Sequence, residues 1–420
     1  MKEAAVEYIE ARHRQAELRI LLIGLVLAAG VILRQVELVA VGTLLALVAA
    51  VSVLWGRYAI KHLEYTRRFD SPRILWGETT HLSISLANRK LLPLAWVQVE
   101  DEFPDRDKIQ LLRGSLGYSH KPHRFILANL FALGWYQRVV RRYPIRGAYR
   151  GYHAFGPVTI RTGDLFGFFT AELVLDRVDY LTVYPRIVPL ERLGIPAREL
   201  LGELKARHSL QRDLTRVVGV RPYVPGDSRR QVHWRATART ARLQVKIPEP
   251  VTAPNLLIFL DLATFEYPWQ GVHPDRLELA IITAVALASA ALEEGFSVGL
   301  YANGSLPESD QTLKIPPGRA PGQLAVILES LARIGSFPSV SLEALLRREA
   351  RNLPWGGTIV VVTSVPTEGL AAGLWRLKRL GRPVALIIVE AVGGMELPGI
   401  PVYRVTGSEL WAELDRVRLD

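Results

Sequence analysis

The 420-residue chain contains no cysteine. That absence excludes disulfide scaffolds, cysteine-ligated zinc, iron–sulfur clusters and cysteine nucleophiles together, and it fits a reducing compartment. There is no Gly-X-Y period and no repeat of 20–50 residues, so collagen-like and solenoid readings drop out. A P-loop, a dinucleotide-binding glycine motif and a His-Glu-x-x-His pair are also missing. Acidic residues are the minority among the charges, 41 against 52 Lys and Arg, which leaves a net charge of +11. A chain of that balance suits acidic partners: nucleic acid, anionic lipid or an acidic protein. Half the residues are apolar, so the chain is not disordered.

Mean hydropathy is positive, and its source is local. Ile20 to Leu33 and Leu38 to Trp55 are uncharged runs of 14 and 18 residues, separated by Arg34, Gln35, Val36 and Glu37. A membrane span needs about 20 residues; the first run reaches that length when Arg19 and Arg34 snorkel. The spacing predicts a transmembrane helical hairpin, with helices at about 18–36 and 38–55 inside an anchor at 1–68. Lys2, Arg12, Arg14 and Arg19 precede the pair, and Arg57, Lys61, Arg67 and Arg68 follow it. The positive-inside rule then puts both termini and the main domains in the cytoplasm of a multi-pass cell-membrane protein. Residues 3–17 read as a helical lead-in.

From 69 to 190 the pattern changes to short strands with Gly and Pro between them. Thr80–Leu86, Leu94–Val99, Arg138–Tyr143, Gly156–Ile160 and Tyr180–Tyr184 predict a β-sandwich-like domain. Arg138, Arg141, Arg142, Arg146 and Arg150 read as a solvated strand face.

Residues 253–420 alternate. Leu256–Leu260 is an apolar strand running into Asp261, and strands at 297–301, 357–363, 383–389 and 402–405 follow. They are interleaved with helices at 274–294, 321–334, 342–353, 367–380 and 408–417. This predicts an α/β domain with a mainly parallel sheet. Ligands bind such sheets beyond the carboxyl ends of the strands, which makes Asp261 a candidate metal ligand. A hard cation wants several oxygens, and a lone carboxylate binds Mg²⁺ weakly. The expectation is a strand-end Asp capping a loop or helix, with no metal and no cofactor.

The connecting segment, 191–252, holds most of the excess charge. Between Glu203 and Lys246 stand eleven basic residues against three acids. Its centre contains Arg221, Tyr223, Pro225, Gly226, Asp227, Arg229, Arg230, His233, Trp234, Thr237 and Arg239. Pro225-Gly226-Asp227 reads as a turn, and Ser228–Arg239 as a short helix capped by Asp227 or Ser228. Two readings compete. Arg forks could bind phosphate or carboxylate while Trp234 and Tyr223 stack on a base. Alternatively Arg221, Arg229 and Arg239 pair internally with Asp227 and Glu203, and Trp234 fills the seam between domains. A Ser228–His233–Asp227 triad lacks an oxyanion-hole signature.

Tyr223-x-Pro225-Gly226-Asp227-x-x-Arg230-x-x-His233-Trp234-x-x-Thr237-Ala238-Arg239, followed by Leu243-x-Val245-Lys246, resembles the signature of the domain of unknown function 58 family. Arg146-Gly147-x-Tyr149, Gly156-Pro157, Thr162-Gly163-Asp164-Leu165-Phe166-Gly167 and Val183-Tyr184-Pro185-Arg186 resemble further motifs of it, and the paired N-terminal spans match. The resemblance implies a membrane-anchored protein with a von Willebrand factor A-like α/β domain, and a MoxR-type AAA+ ATPase as partner in protein assembly or maturation. It carries no established catalytic residues. That fold supplies metal ligands as Asp-x-Ser-x-Ser, whereas the run here is Asp261-Leu262-Ala263-Thr264-Phe265. Thr363-Ser364 stands where that fold often has Asp. The resulting expectation is a membrane-tethered, non-enzymatic scaffold or adaptor. The rivals are a nucleic-acid or anionic-lipid binding module and an enzyme of another type.

Overall fold

The computed structural model describes residues 21–407, apart from 165–169, 199, 203, 205–216, 226, 228–230, 249–253, 308, 310, 355–356 and 391–394. The predicted N-terminal lead-in, the helix at 408–417, Gly226, Arg229 and Arg230 therefore lie outside the described residues. The chain divides into two compact units, Met1–Val183 and Tyr184–Asp420.

The first unit opens with helices α1 (Leu21–Ile32) and α2 (Val36–Ala59). A Cβ added to Gly42 would lie 2.7 Å from Leu27 Cγ, so the two helices touch at a small residue. Among the described residues only Val36–Gly56 of α2 is long and apolar enough to cross a membrane, and little of it is buried. The chain turns from α2 into β1 (Leu63–Phe69) through His62 at φ 59°. Lys90 closes this junction: its Nζ donates to the carbonyls of Tyr58 (2.9 Å), Ala59 and Lys61 (2.6 Å). The first two are orphan acceptors of the helix end. Burial lowers the Lys90 ammonium to about 8.

The remaining strands of this unit are β2 (Arg73–Leu75), β3 (Thr79–Asn88), β4 (Leu94–Phe103), β5 (Ile109–Leu111), β6 (Gly117–Tyr118), β7 (Phe125–Leu133), β8 (Arg138–Gly147), β9 (Gly151–Phe155), β10 (Val158–Gly163), β11 (Thr170–Leu175) and β12 (Asp179–Tyr184). They form sheets of order β1-β3-β8-β5, β11-β10-β4-β7-β6 and β2-β12-β9. Period-two alternation sends Leu82, Ile84 and Leu86 inward, where they meet Val97, Val99, Phe131 and Ile160 in one core.

Arg67 sits fully buried beside that core. Its guanidinium donates to Asp101 Oδ1 (2.5 Å), Asp179 Oδ2 (3.1 Å), Phe155 O (2.7 Å) and Arg177 O (3.1 Å). Tyr65 donates to the other Asp101 oxygen (2.6 Å). Burial pushes the Asp101 carboxyl up to about 6, against the pull of Arg67 and Tyr65. Gly156, at φ 100°, makes room for this network: a Cβ there would sit 2.1 Å from Arg177 O. The arginines between Arg138 and Arg150 do not form one solvated face as expected. Arg141 stacks over Phe131 at 4.4 Å and donates to Asn129 (2.8 Å), Arg146 donates to Gly77 O (3.0 Å), and Arg150 is buried.

In the second unit, β13 (Val217–Pro222) and β14 (Gln244–Pro248) make an antiparallel ribbon, joined through α3 (Trp234–Thr240). Beyond it lies a six-stranded sheet. Its strands are β15 (Asn255–Leu260), β16 (Ser297–Ser305), β17 (Thr312–Gly318), β18 (Thr358–Thr363), β19 (Val384–Val389) and β20 (Val402–Val405), in the order β17-β16-β15-β18-β19-β20. All neighbours are parallel except β16 and β17. The expected strands at 256–260, 297–301, 357–363, 383–389 and 402–405 are all present. β17, the antiparallel edge, was not anticipated. Helix α4 (Pro274–Glu293) packs on β15, β16, β18 and β19 and is buried over most of its length. Helices α6 (Leu342–Glu349) and α7 (Glu368–Arg379) build a core with Leu257, Phe259, Ile359, Val361 and Leu386. Between β17 and α6 runs α5 (Gln323–Arg333).

Candidate functional site

The strand order reverses between β15 and β18, and there a crevice opens at the carboxyl ends of the strands. Asp261 follows β15 and takes its backbone bond from β18, N–H to Val362 O (2.9 Å). Asn303 arrives from β16 and Thr363 from β18. Asp261 Oδ1 accepts from Asn303 Nδ2 (2.7 Å) and the Ala263 N–H (3.0 Å), and Oδ2 accepts from the Thr363 hydroxyl (2.7 Å). Asn303 Oδ1 in turn accepts from the Leu262 N–H (2.9 Å). Burial raises the Asp261 carboxyl to about 6, and these three hydrogen bonds only partly offset the effect.

Glu343, near the start of α6, faces the same cavity of about 380 Å³. Burial works against its charge. Hydrogen bonds from the Thr367 and Ser341 hydroxyls, together with Arg347, still hold it below the usual carboxylate value. The rim carries the exposed Phe337 and the half-buried Phe265; close in sequence, Tyr267 and Trp269 stack at 4.6 Å.

These residues do not fit a divalent metal. Positions two and four beyond Asp261 are Ala263 and Phe265, which offer no side-chain oxygen. The Thr264 hydroxyl is engaged by the His273 N–H (2.8 Å). Both Asp261 oxygens already accept from protein donors. The buried Ser364 hydroxyl has no partner among the described residues, but one neutral oxygen does not make a site for a hard cation. No group of three or more His, Asp or Glu among the described residues could hold a metal.

The Arg-rich motif forms a separate, internally braced module. Arg221 on β13 grips Asp227 with both terminal nitrogens (2.7 and 2.6 Å), and Asp227 also accepts from the Val224 N–H (2.9 Å). The hydrogen bonds to Arg221 and then to Val224 hold the Asp227 carboxyl below its ordinary value. Asp227 thus orders the turn and pairs with an arginine, as the sequence suggested. The helix differs from expectation. It starts at Trp234, later than Ser228, and its cap is His233, whose Nδ1 accepts from the Ala236 N–H (3.0 Å). The Thr237 hydroxyl accepts from the Gln244 N–H (3.0 Å), tying α3 to β14.

His233 and Asp227 therefore serve the module's own backbone and do not build a triad. Trp234 is 69% exposed, so the expectation of a ring filling a seam is corrected. Seven residues give α3 too short an apolar stripe to bury it, and the helix has no buried residue. Arg235, Arg239 and Arg242 flank it in sequence, all exposed. Sequence reading also missed a groove of about 780 Å³ between α6 and α7, rimmed by Arg347, Arg351 and Arg376. The signal was the placement of Arg347 and Arg376 on two amphipathic helices, with Arg351 just past the end of the first.

The described residues thus define a sheet-rich, multidomain chain. It carries one apolar N-terminal helix, a sandwich-like unit, and an α/β unit that begins with a braced Arg/Trp module. Over residues 219–415 it matches the family described as protein of unknown function DUF58, and that segment is a DUF58 domain. The match covers the motif and the six-stranded sheet. The uncharacterized protein YeaD of Bacillus subtilis (strain 168) is 23% identical over 271 residues, which is 62% of this chain and 62% of that protein. The match therefore spans less than two thirds of that relative's length. Among solved structures, a CARDB domain from Pyrococcus furiosus (10% identity, 29% of this chain, 91% of that one) has a TM-score of 0.20. A cohesin module from Clostridium perfringens (11% identity, 29% and 96%) also has a TM-score of 0.20. Likenesses at that score carry no weight for fold or function.

Proposed function

We propose that the protein is a membrane-tethered, non-enzymatic adaptor that presents its α/β unit to a protein partner. The observation behind this reading is the exposed Trp234, next in sequence to Arg235 on a module braced by the Arg221–Asp227 pair and the His233 cap. An exposed tryptophan beside arginine is the composition of an interaction hot spot, and the basic groove between α6 and α7 extends the surface available to an acidic partner. The sheet order and the position of Asp261 support a von Willebrand factor A-like domain working without its metal. The family resemblance suggests a MoxR-type AAA+ ATPase as the partner. Nucleic acid is a weaker reading, because Arg221 is committed to Asp227.

Trp234→Ala should leave the denaturation midpoint within about 0.5 kcal/mol of wild type, as for surface substitutions. It should also abolish recovery of the partner from solubilised membranes. A collapsed midpoint with partner binding retained would return Trp234 to a structural role.

The anchor reading adds α1 and α2 as a two-span hairpin with both termini in the cytoplasm, supported by the basic flanks of the pair. A reporter active only in the periplasm should be silent when fused after residue 420. Activity there would overturn the orientation.

A further inference from the structure

Two loops of the sandwich lie against the end of α2, and both expose large apolar side chains. The β3–β4 loop presents Leu91, 68% exposed, and the β7–β8 loop presents Trp135 and Tyr136, 67% and 64% exposed. The loops are bound to each other and to the helix end. Tyr136 N–H donates to Lys90 O (3.3 Å), and Asn88 Nδ2 donates to Leu92 O (2.8 Å) and Gly134 O (2.9 Å). Arg89 N–H donates to His62 O (2.9 Å), and Lys90 holds the final carbonyls of α2. This polar bonding holds the loops in a conformation that leaves their apolar tips exposed.

The charges around them are mostly positive. Lys61, Arg89, Lys90 and Arg138 surround the loops, and Glu64 pairs with Arg89 at 2.9 Å. A slot of about 340 Å³ lies beside the helix end, lined by Leu54, Trp55, Tyr58 and Leu92 with Lys61 and Lys90 at its rim.

We propose that this end of the sandwich is seated in an anionic lipid surface, with Leu91, Trp135 and Tyr136 inserted at headgroup level. The argument is continuity. A helix leaving a bilayer at Trp55–Tyr58 puts whatever is bonded to its last turn at the membrane–water boundary. Trp and Tyr are the residues enriched at that boundary, and Lys and Arg there meet anionic headgroups. A protein partner would need the same tips at a place the bilayer already occupies. The inference rests on α2 spanning the membrane.

The absence of cysteine makes the test clean, because a single introduced thiol is the only labelling site. The full-length chain carrying Leu91→Cys or Trp135→Cys is labelled with an environment-sensitive NBD dye. Tyr118→Cys serves as the control. Tyr118 is exposed and pairs with Phe125, the first residue of β7, about 27 Å along that strand from Leu133. Each protein is reconstituted into phosphatidylcholine vesicles with or without phosphatidylglycerol and with lipid carrying a headgroup nitroxide.

The expected result is blue-shifted emission quenched by the nitroxide at positions 91 and 135, stronger with phosphatidylglycerol, and no quenching at 118. If the chain resists carbonate extraction while labels 91 and 135 stay as water-exposed as 118, the seating is overturned and the spanning helix survives. If carbonate strips the chain from the vesicles, the spanning reading falls and the seating with it. Quenching that ignores phosphatidylglycerol overturns the anionic preference.

Discussion

Arg67→Met should destabilise the sandwich by about 3–5 kcal/mol, the usual cost of removing one partner from a buried ion pair. Methionine replaces the aliphatic stem but leaves Asp101 charged and dry, and it strips donors from the Phe155 and Arg177 carbonyls. Pairing it with Asp101→Asn should recover part of the loss, because the uncompensated charge is gone while an acceptor for Tyr65 remains. Hydrogen exchange of the β3 and β4 amides reads this unit by itself. If protection in Arg67→Met falls by less than the equivalent of about 1 kcal/mol, the guanidinium is better solvated than its surroundings indicate.

Asp261→Ala should cost the α/β unit about 3 kcal/mol, since the Asn303 amide, the Thr363 hydroxyl and the Ala263 N–H all lose their acceptor in a buried place. Asp261→Asn keeps an acceptor oxygen for two of the three and should be no less stable than wild type at pH 7. The pH dependence separates them further. The folded carboxyl, raised to about 6 from 3.8, holds its proton more tightly than the unfolded one. Below about pH 4 both forms are protonated and the contribution is fully present. It is lost as pH rises through about 6, and it amounts to about 3 kcal/mol at 1.36 kcal/mol per pH unit. Asp261→Asn should erase that slope in a titration of unfolding midpoints. Magnesium should move the wild-type midpoint little, whereas a ligand at 100 times its Kd would add about 2.7 kcal/mol. A large shift reversed by EDTA and absent from Asp261→Ala would show that the crevice binds metal after all.

Much of the architecture was legible because apolar periodicity is a local property. Leu82, Ile84 and Leu86 announce β3, and the unbroken run from Leu256 to Leu260 announces a strand covered on both faces. β1 was hidden by its function. Its inward positions are Tyr65, Arg67 and Phe69, and a charge at the middle one makes the run look like a basic linker. β17 was hidden by Pro316 and Pro317, which read as a turn but are tolerated at a sheet edge.

At the candidate site, Asp261 could be found as a strand-end acid. Its partner Asn303 could have been found as the polar residue closing Leu300-Tyr301-Ala302. That the two meet depends on strand order, which no local pattern records. Trp234 misled for a related reason: an aromatic beside a domain junction looks like core, and only the shortness of α3 says otherwise.

The clasp of Lys90 on the last carbonyls of α2 has a mechanical consequence. The chain passes from helix to sandwich through three residues, Ile60, Lys61 and His62, and the clasp, with Ala59 packed in the sandwich core, restrains that joint. With α2 spanning a bilayer as proposed, the pair would act as a lever with its fulcrum there. Helices tilt by about 20° to match membrane thickness, and over a strand of ten residues such a tilt displaces the far end of the sandwich by roughly 10 Å. Under that proposal the height of the far end of the sandwich above the membrane would follow the thickness of the lipid around α2.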